Sequence, residues 1–237
     1  MRQFRYIGAD VKVQCSRWLF ESPEMERMPT SVKDELILRI DRVLRTLASS
    51  TASERASPAK GVSERALTDE ERRHAAGLMR VNHAGEVCAQ ALYLGHAATA
   101  HTSKVRAVME QAAKEEEDHL AWCRERLEQL DSRPSRLDPL WFAMSFGLGA
   151  LSGLAGDRVS LGFVAATEDE VCRHLERHEH ALPEPDDKSR AIVKQMCEEE
   201  RRHGTRALEA GGWNFPRPVK GVMGLVAKVM TSTSYRV

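Results

Sequence analysis

The sequence predicts an all-α protein built on a four-helix bundle, and three observations predict it. Apolar residues recur in steps of three and four along four long segments, about 68–100, 105–130, 157–182 and 187–210, the period of helices with one buried stripe. Glu-x-x-His falls inside that stripe in the second and fourth segments, as Glu116/His119 and Glu200/His203. A single glutamate, Glu86 or Glu168, falls inside the stripe of the segment before each pair.

Taken in order, residues 1–30 offer only Val11, Val13, Trp18, Leu19 and Phe20 as candidates for a short strand or a packed loop. Ser31 caps an expected helix to about Leu47, with Val32, Leu36, Ile40, Val43 and Leu47 on one side. Residues 49–63, rich in Ser and Ala and broken by Pro58 and Gly61, read as a linker. The expected division is therefore an N-terminal extension, 1–66, and a helical domain, 67–237.

The first bundle helix is expected from about Thr68 to Ala100, with Met79, Asn82, Glu86, Ala89 and Tyr93 on one face. Gly85 beside Glu86 lowers helix propensity and suggests close approach by a neighbour or ligand. The second carries Val105, Met109, Ala112, Glu116, His119, Cys123, Leu127 and Leu130 as its stripe, which leaves Glu115, Glu117 and Asp118 as expected solvated charge. Residues 139–156 have no charged side chain and four glycines, and read as membrane-surface, tunnel-lining, core or, least of these, membrane-spanning. The third bundle helix, 157–182, places Leu161, Val164, Glu168, Cys172 and Leu175 together, and sets His174, His178 and His180 on a polar flank. The fourth, from Asp187 to a glycine stop at Gly211-Gly212, places Val193, Met196, Glu200, His203 and Ala207 on one face. A last amphipathic helix is expected at 218–230, to dock on the bundle or lie in a membrane surface.

A carboxylate or imidazole on a core-facing stripe costs free energy unless something pairs with it. Six such groups on four stripes, in the order Glu…Glu-x-x-His twice over, form the ligand set of a ferritin-like di-iron or di-manganese bundle. Mostly oxygen donors suit iron or manganese better than structural zinc, and two divalent ions offset four carboxylates. A third Glu-x-x-His, Glu71/His74, is set aside, because Glu71 stands three residues after Thr68 in the polar first turn of its helix, where it completes a capping box.

The balance of 35 basic and 35 acidic residues makes no case for nucleic acid. Five scattered cysteines without C-x-x-C, Cys15, Cys88, Cys123, Cys172 and Cys197, read as buried reduced thiols of a cytoplasmic protein, and no secretory signal is visible.

The segments 79–86 (MRVNHAGE), 116–120 (EEDHL), 167–170 (TEDE), 198–203 (EEERRH) and 228–234 (KVMTSTS) together resemble the demethoxyubiquinone hydroxylases of ubiquinone biosynthesis, from about Thr68 onward. The resemblance implies a membrane-associated di-iron monooxygenase that uses O2 to hydroxylate the ring of a polyprenylated demethoxyubiquinol. It implies Glu86, Glu116, His119, Glu168, Glu200 and His203 as ligands of two iron ions, and a histidine near the site at His174. It further implies a peripheral place on the cytoplasmic face of the cell membrane, with other ubiquinone-biosynthesis proteins as partners. Asp169, where the family often has a second Glu, and Gly204, where members carry a second His, depart from the pattern. The rival readings are a rubrerythrin- or ferritin-type peroxidase or iron-handling protein, and a non-enzymatic quinone- or lipid-binding bundle.

Overall fold

A computed structural model describes Thr46 and residues 53–237 of the chain. All fall within the compact unit Arg39–Val237. The expectations for residues 1–30 lie outside the described residues, as does the helix expected from Ser31 apart from Thr46, which is helical and buried.

The described residues form six helices and no strand: α1 Asp69–Thr99, α2 Ser103–Gln129, α3 Asp138–Leu154, α4 Asp157–Ala181, α5 Asp187–Glu209 and α6 Arg217–Ser234. Their starts follow from local chemistry. Thr68 Oγ1 accepts from the Glu71 amide at 3.3 Å while the Glu71 carboxylate accepts from the Thr68 amide at 2.9 Å. That reciprocal cap is worth about 1 kcal/mol and commits Glu71 to it. Thr102 caps α2, and Asp157 at the start of α4 accepts from the amides of His101 and Thr102, so one carboxylate ties the α1–α2 turn to the third bundle helix.

α1 packs along α2, and α4 along α5, giving two helical hairpins. α3 carries the chain between them and lies against α1. It does so closely: a Cβ on Gly95 would strike the Phe146 carbonyl, and one on Gly149 the Leu92 carbonyl. Of the glycines of 139–156, Gly149 therefore serves backbone-to-backbone contact and Gly153 makes room for the Thr99 side chain, whereas Gly147 and Gly156 have nothing packed against them. The other side of α3 leaves Leu140, Met144, Leu148, Leu151 and Leu154 exposed, and α6 exposes Val219, Val222, Leu225, Val226 and Val229. No described helix is long and apolar enough to cross a membrane, so the spanning reading of 139–156 is dropped.

The core has two apolar clusters. One includes Val87, Tyr93, Met109, Leu120, Leu161 and Val164; the other includes Met79, Trp122, Leu127, Leu175, Val193 and Met196. Between them, at the same level on all four bundle helices, runs a polar layer. At the far end of α2 the buried Arg126 guanidinium reaches Asp186 at 2.8 Å, Glu64 at 2.7 Å and Ser189 Oγ at 2.9 Å, which fixes α2 to the start of α5. Removing one partner of such a buried pair costs about 3–5 kcal/mol.

Candidate metal centre

The polar layer contains all six predicted side chains, each from its own helix position: Glu86 on α1, Glu116 and His119 on α2, Glu168 on α4, Glu200 and His203 on α5. None is more than 5% exposed. The i, i+3 spacing sets each histidine beside its own glutamate, with Nδ1 of His119 3.1 Å from Glu116 and Nδ1 of His203 3.1 Å from Glu200. The two pairs also cross over. His119 Nδ1 lies 3.0 Å from Glu200 and 3.4 Å from Glu86, and His203 Nδ1 lies 3.2 Å from Glu116. Tyr93 donates its hydroxyl proton to Glu168 at 2.6 Å.

Among the described residues, donor atoms of Glu86, Glu116, His119 and Glu200 lie within 4.8 Å of one another, and so do those of Glu168, Glu200 and His203. Each group could hold a metal ion, and Glu200 belongs to both. One oxygen each of Glu86, Glu116, Glu168 and Glu200 is buried without a hydrogen-bond partner. Buried carboxylate oxygens left so are costly, and four aimed into one interior fit a pair of cations.

Electrostatics without metal say the same. Burial drives Glu86 and Glu168 well above the usual carboxylate range, with neighbouring glutamates adding to the shift. Burial would also raise Glu116, but the two imidazoles outweigh it and hold this carboxyl below its ordinary value. Burial would lower His119 and His203; the surrounding carboxylates outweigh it and raise both. The metal-free layer therefore keeps itself near neutrality with protons, in the place where two divalent ions would supply the same positive charge.

Three side chains outside the prediction orient this layer. His119 donates from Nε2 to Glu199 at 2.8 Å, and Arg55 grips Glu199 through two nitrogens at 2.7 and 2.9 Å. His203 donates from Nε2 to Glu115 at 2.6 Å. Each outer bond fixes its imidazole so that Nδ1 faces inward. The reading of Glu115 and Asp118 as solvated charge is corrected here. Glu115 is half-buried against His203, and Asp118 is buried, accepting from Ser53 Oγ, the Glu54 amide and Arg55. Both lie beside ligand positions in runs of acidic residues, so the sequence offered a signal in Glu115 to Asp118 and Glu198 to Glu200 but no way to tell which carboxylate turns inward. Arg55 gave no signal, since it comes from the stretch read as linker.

Three cavities reach the cluster. One of about 610 Å3, between α1, α4 and α6, contains Asn82, Glu86, His174 and His178. A second, about 480 Å3 and largely apolar, contains Tyr93, Met109, Leu161 and His203; a third, about 420 Å3, contains Glu168, Glu200 and Gly204. Gly85 lines the first, and nothing packs against it. His178, expected on the surface, is instead buried and bonds Asn82 of α1 at 2.7 Å; His180 is exposed as expected. His174 packs on the His178 ring, 3.9 Å between centroids, and makes no hydrogen bond to the six. His74 is engaged with Tyr235 and the Ala181 carbonyl, away from the layer. Of the cysteines, Cys123, Cys172 and Cys197 are buried free thiols and Cys88 is half-buried; Cys15 lies outside the described residues.

The profile of the family described as ubiquinone biosynthesis protein COQ7 matches residues 73–234. The chain belongs to this COQ7 family. Relatives include a 3-demethoxyubiquinol 3-hydroxylase from Azotobacter vinelandii, 57% identical over 208 residues (87% of this chain, 97% of the relative). Proteins of the same name from Pseudomonas syringae pv. syringae and Chromohalobacter salexigens are 56% and 58% identical, covering 86% and 85% of this chain and 95% of each relative. The COQ7 match begins inside α1 and ends with α6, so it takes in all six residues of the layer.

Proposed function

We propose that this chain is a 3-demethoxyubiquinol 3-hydroxylase, an O2-dependent di-iron monooxygenase of ubiquinone biosynthesis. The observation that carries the reading is the buried Glu/His layer in a chain 55–58% identical to relatives that bear that name. Glu86, Glu116, His119 and Glu200 would hold one iron, and Glu168, Glu200 and His203 the other. Two reduced irons, when bound, supply two electrons to dioxygen. The protein's own part is to hold and exclude. Glu199 and Glu115 keep the imidazoles aimed inward, Tyr93 fixes one oxygen of Glu168, and the two apolar clusters bracket the layer.

The substrate is an apolar ring with an isoprenoid tail and must reach a buried site. Of the two helices with apolar outer faces, α6 lines the cavity beside Glu86 through Gly224, Ala227, Lys228 and Met230, whereas no α3 residue lines any of the three cavities that reach the layer. This favours entry under α6, with α3 and α6 resting on the lipid surface and the protein peripheral on the cytoplasmic face. Asn82 and the neutral histidines His174 and His178, both held below the usual imidazole range first by burial, offer hydrogen bonds to a polar ring substituent there.

Glu116→Ala tests the function. Metal analysis of anaerobically purified protein, with hydroxylation of demethoxyubiquinol as the second readout, should show loss of iron and of product. Normal iron with normal turnover would sink the proposal. Leu148→Asp should release the protein from membranes with iron content unchanged; undiminished flotation with vesicles would refute the role given to α3.

A further inference from the structure

Four arginines meet where α3 begins, α6 ends and the middle of α1 passes. Arg80, Arg133, Arg136 and Arg236, with Val237 and its main-chain carboxylate, line a cavity of about 320 Å3 that no acidic side chain enters, so four cations face at most one anion there. Arg80 builds it. Its guanidinium donates to the Arg133 carbonyl at 3.0 Å, the Tyr235 carbonyl at 2.8 Å and Ser132 Oγ at 2.7 Å. Those bonds draw the α2–α3 loop and the end of α6 together, and so bring Arg133 and Arg236 to one spot.

The remaining three cations are free to bind something. Among the described residues, Arg133, Arg136 and Arg236 have no ion-pair partner. The nearest acids in the chain are engaged elsewhere, Asp131 with Arg72 at 2.7 Å and Asp138 with His83 at 3.1 Å. A guanidinium does not shed its proton to escape repulsion, and its planar fork matches phosphate oxygens two at a time.

The position selects the source of the phosphate. Arg136 stands two residues before α3, whose free side shows Leu140 and Met144; Arg236 stands two residues after α6, whose free side shows Val226 and Val229. Trp141 Nε1 donates to Ser234 Oγ at 3.1 Å and holds the two helix ends together. The geometry points to a binding site for the phosphate of an anionic lipid headgroup, formed by Arg133, Arg136 and Arg236 where the exposed faces of α3 and α6 converge. This inference rests on the membrane association proposed above and adds to it a headgroup preference.

The test is sedimentation of the full chain with vesicles of phosphatidylcholine alone or with added phosphatidylglycerol, at fixed ionic strength. Wild type should favour the anionic vesicles. R133Q/R136Q/R236Q should lose that preference by about fivefold per arginine, while keeping its helical content, its metal content and its residual binding to phosphatidylcholine. A control, K104Q/K114Q/K194Q, removes three exposed charges elsewhere and should keep the preference. Equal loss in the control would overturn the site in favour of diffuse charge. Equal binding of wild type to both vesicles would overturn it too, with the membrane reading intact. Binding to neither kind would remove the membrane reading and this site together. Release from anionic vesicles by millimolar inorganic phosphate would overturn the lipid assignment in favour of a free anion.

Discussion

The two Glu-x-x-His pairs are alike in sequence and differ in what stands behind the imidazole. Behind His119, Glu199 is only 4% exposed, and Arg55, Gln195 and Arg202 converge on it. Arg55 in turn lies over the Trp122 ring, 4.7 Å from its centroid, and is held by Asp118. Behind His203, the Glu115 side chain is 31% exposed and its other partners, Gln111 and Arg206, are at the surface. One histidine is braced by a buried carboxylate in a network that reaches back to residue 53, its arginines partly in water; the other is braced by a single carboxylate at the water's edge. A repeated motif therefore gives two imidazoles of one type with unequal rigidity, and on the proposed reading ions at the two positions should bind with unequal strength.

Breaking the shared element should have the largest effect. Glu200→Gln removes a ligand from both groups, and metal content by elemental analysis should fall to near zero rather than to one ion per chain. Glu199→Gln or Arg55→Gln should strip the His119 side selectively. We expect about a 10–100-fold weaker affinity for one of two ions in an anaerobic titration, the range for partners of metal-bound histidines. Retention of both ions with unchanged affinity would show that the buried network does not brace the site. Glu115→Gln should weaken the other ion by less than tenfold, with a stronger salt dependence because the pair is partly screened. Equal effects at Glu199 and Glu115 would erase the proposed inequality.

The smallest effect is on the pH dependence of the metal-free protein. Glu115 is held down to about 2 chiefly by its hydrogen bond from His203, and Glu199 is also held low, since His119 and Arg55 outweigh its burial. Depressed carboxyls contribute stability above their unfolded value of about 4.3, and that stability is lost as pH falls below it. His119 and His203 are raised, so theirs is complete below about 6.5 and is lost as pH rises. Glu86 and Glu168, raised by burial, act in the same sense, their contribution being lost as pH rises above about 4.3. Thermal melts should place the apoprotein's optimum near about pH 6.5, because His96, His174 and His178, all held low first by burial, cost stability as pH falls below that value. Glu199→Gln should flatten the acid limb more than Glu115→Gln.

Most of the bundle was legible in the sequence because one face of each helix is continuously buried. Every stripe residue named on α2, from Val105 to Leu130, is buried, as are Met79, Asn82, Glu86, Ala89 and Tyr93 on α1. Six charged or imidazole groups on such faces stand out because burial there has so few explanations. The supporting groups were not legible for the opposite reason. Glu115, Asp118 and Glu199 stand where a helical wheel points to solvent, and each is turned inward by a partner distant in sequence, with Arg55 144 residues away from Glu199. His178 was misread in the same way, since its partner Asn82 stands 96 residues earlier, on α1. The glycines of α3 could be seen, but that Gly149 meets backbone depended on α1, where Leu92 and Gly95 take the close approach.

The last turn of α6 is seated by three small contacts. Ser234 receives the Trp141 proton, the Tyr235 hydroxyl bonds His74 at 2.7 Å, and the Tyr235 ring lies so close over Gly77 that a methyl group there would strike it. This seat closes one end of the 610 Å3 cavity, whose wall includes Tyr235 itself. Tyr235→Ala would remove both the ring over Gly77 and the bond to His74, and should leave that end of the cavity open to solvent.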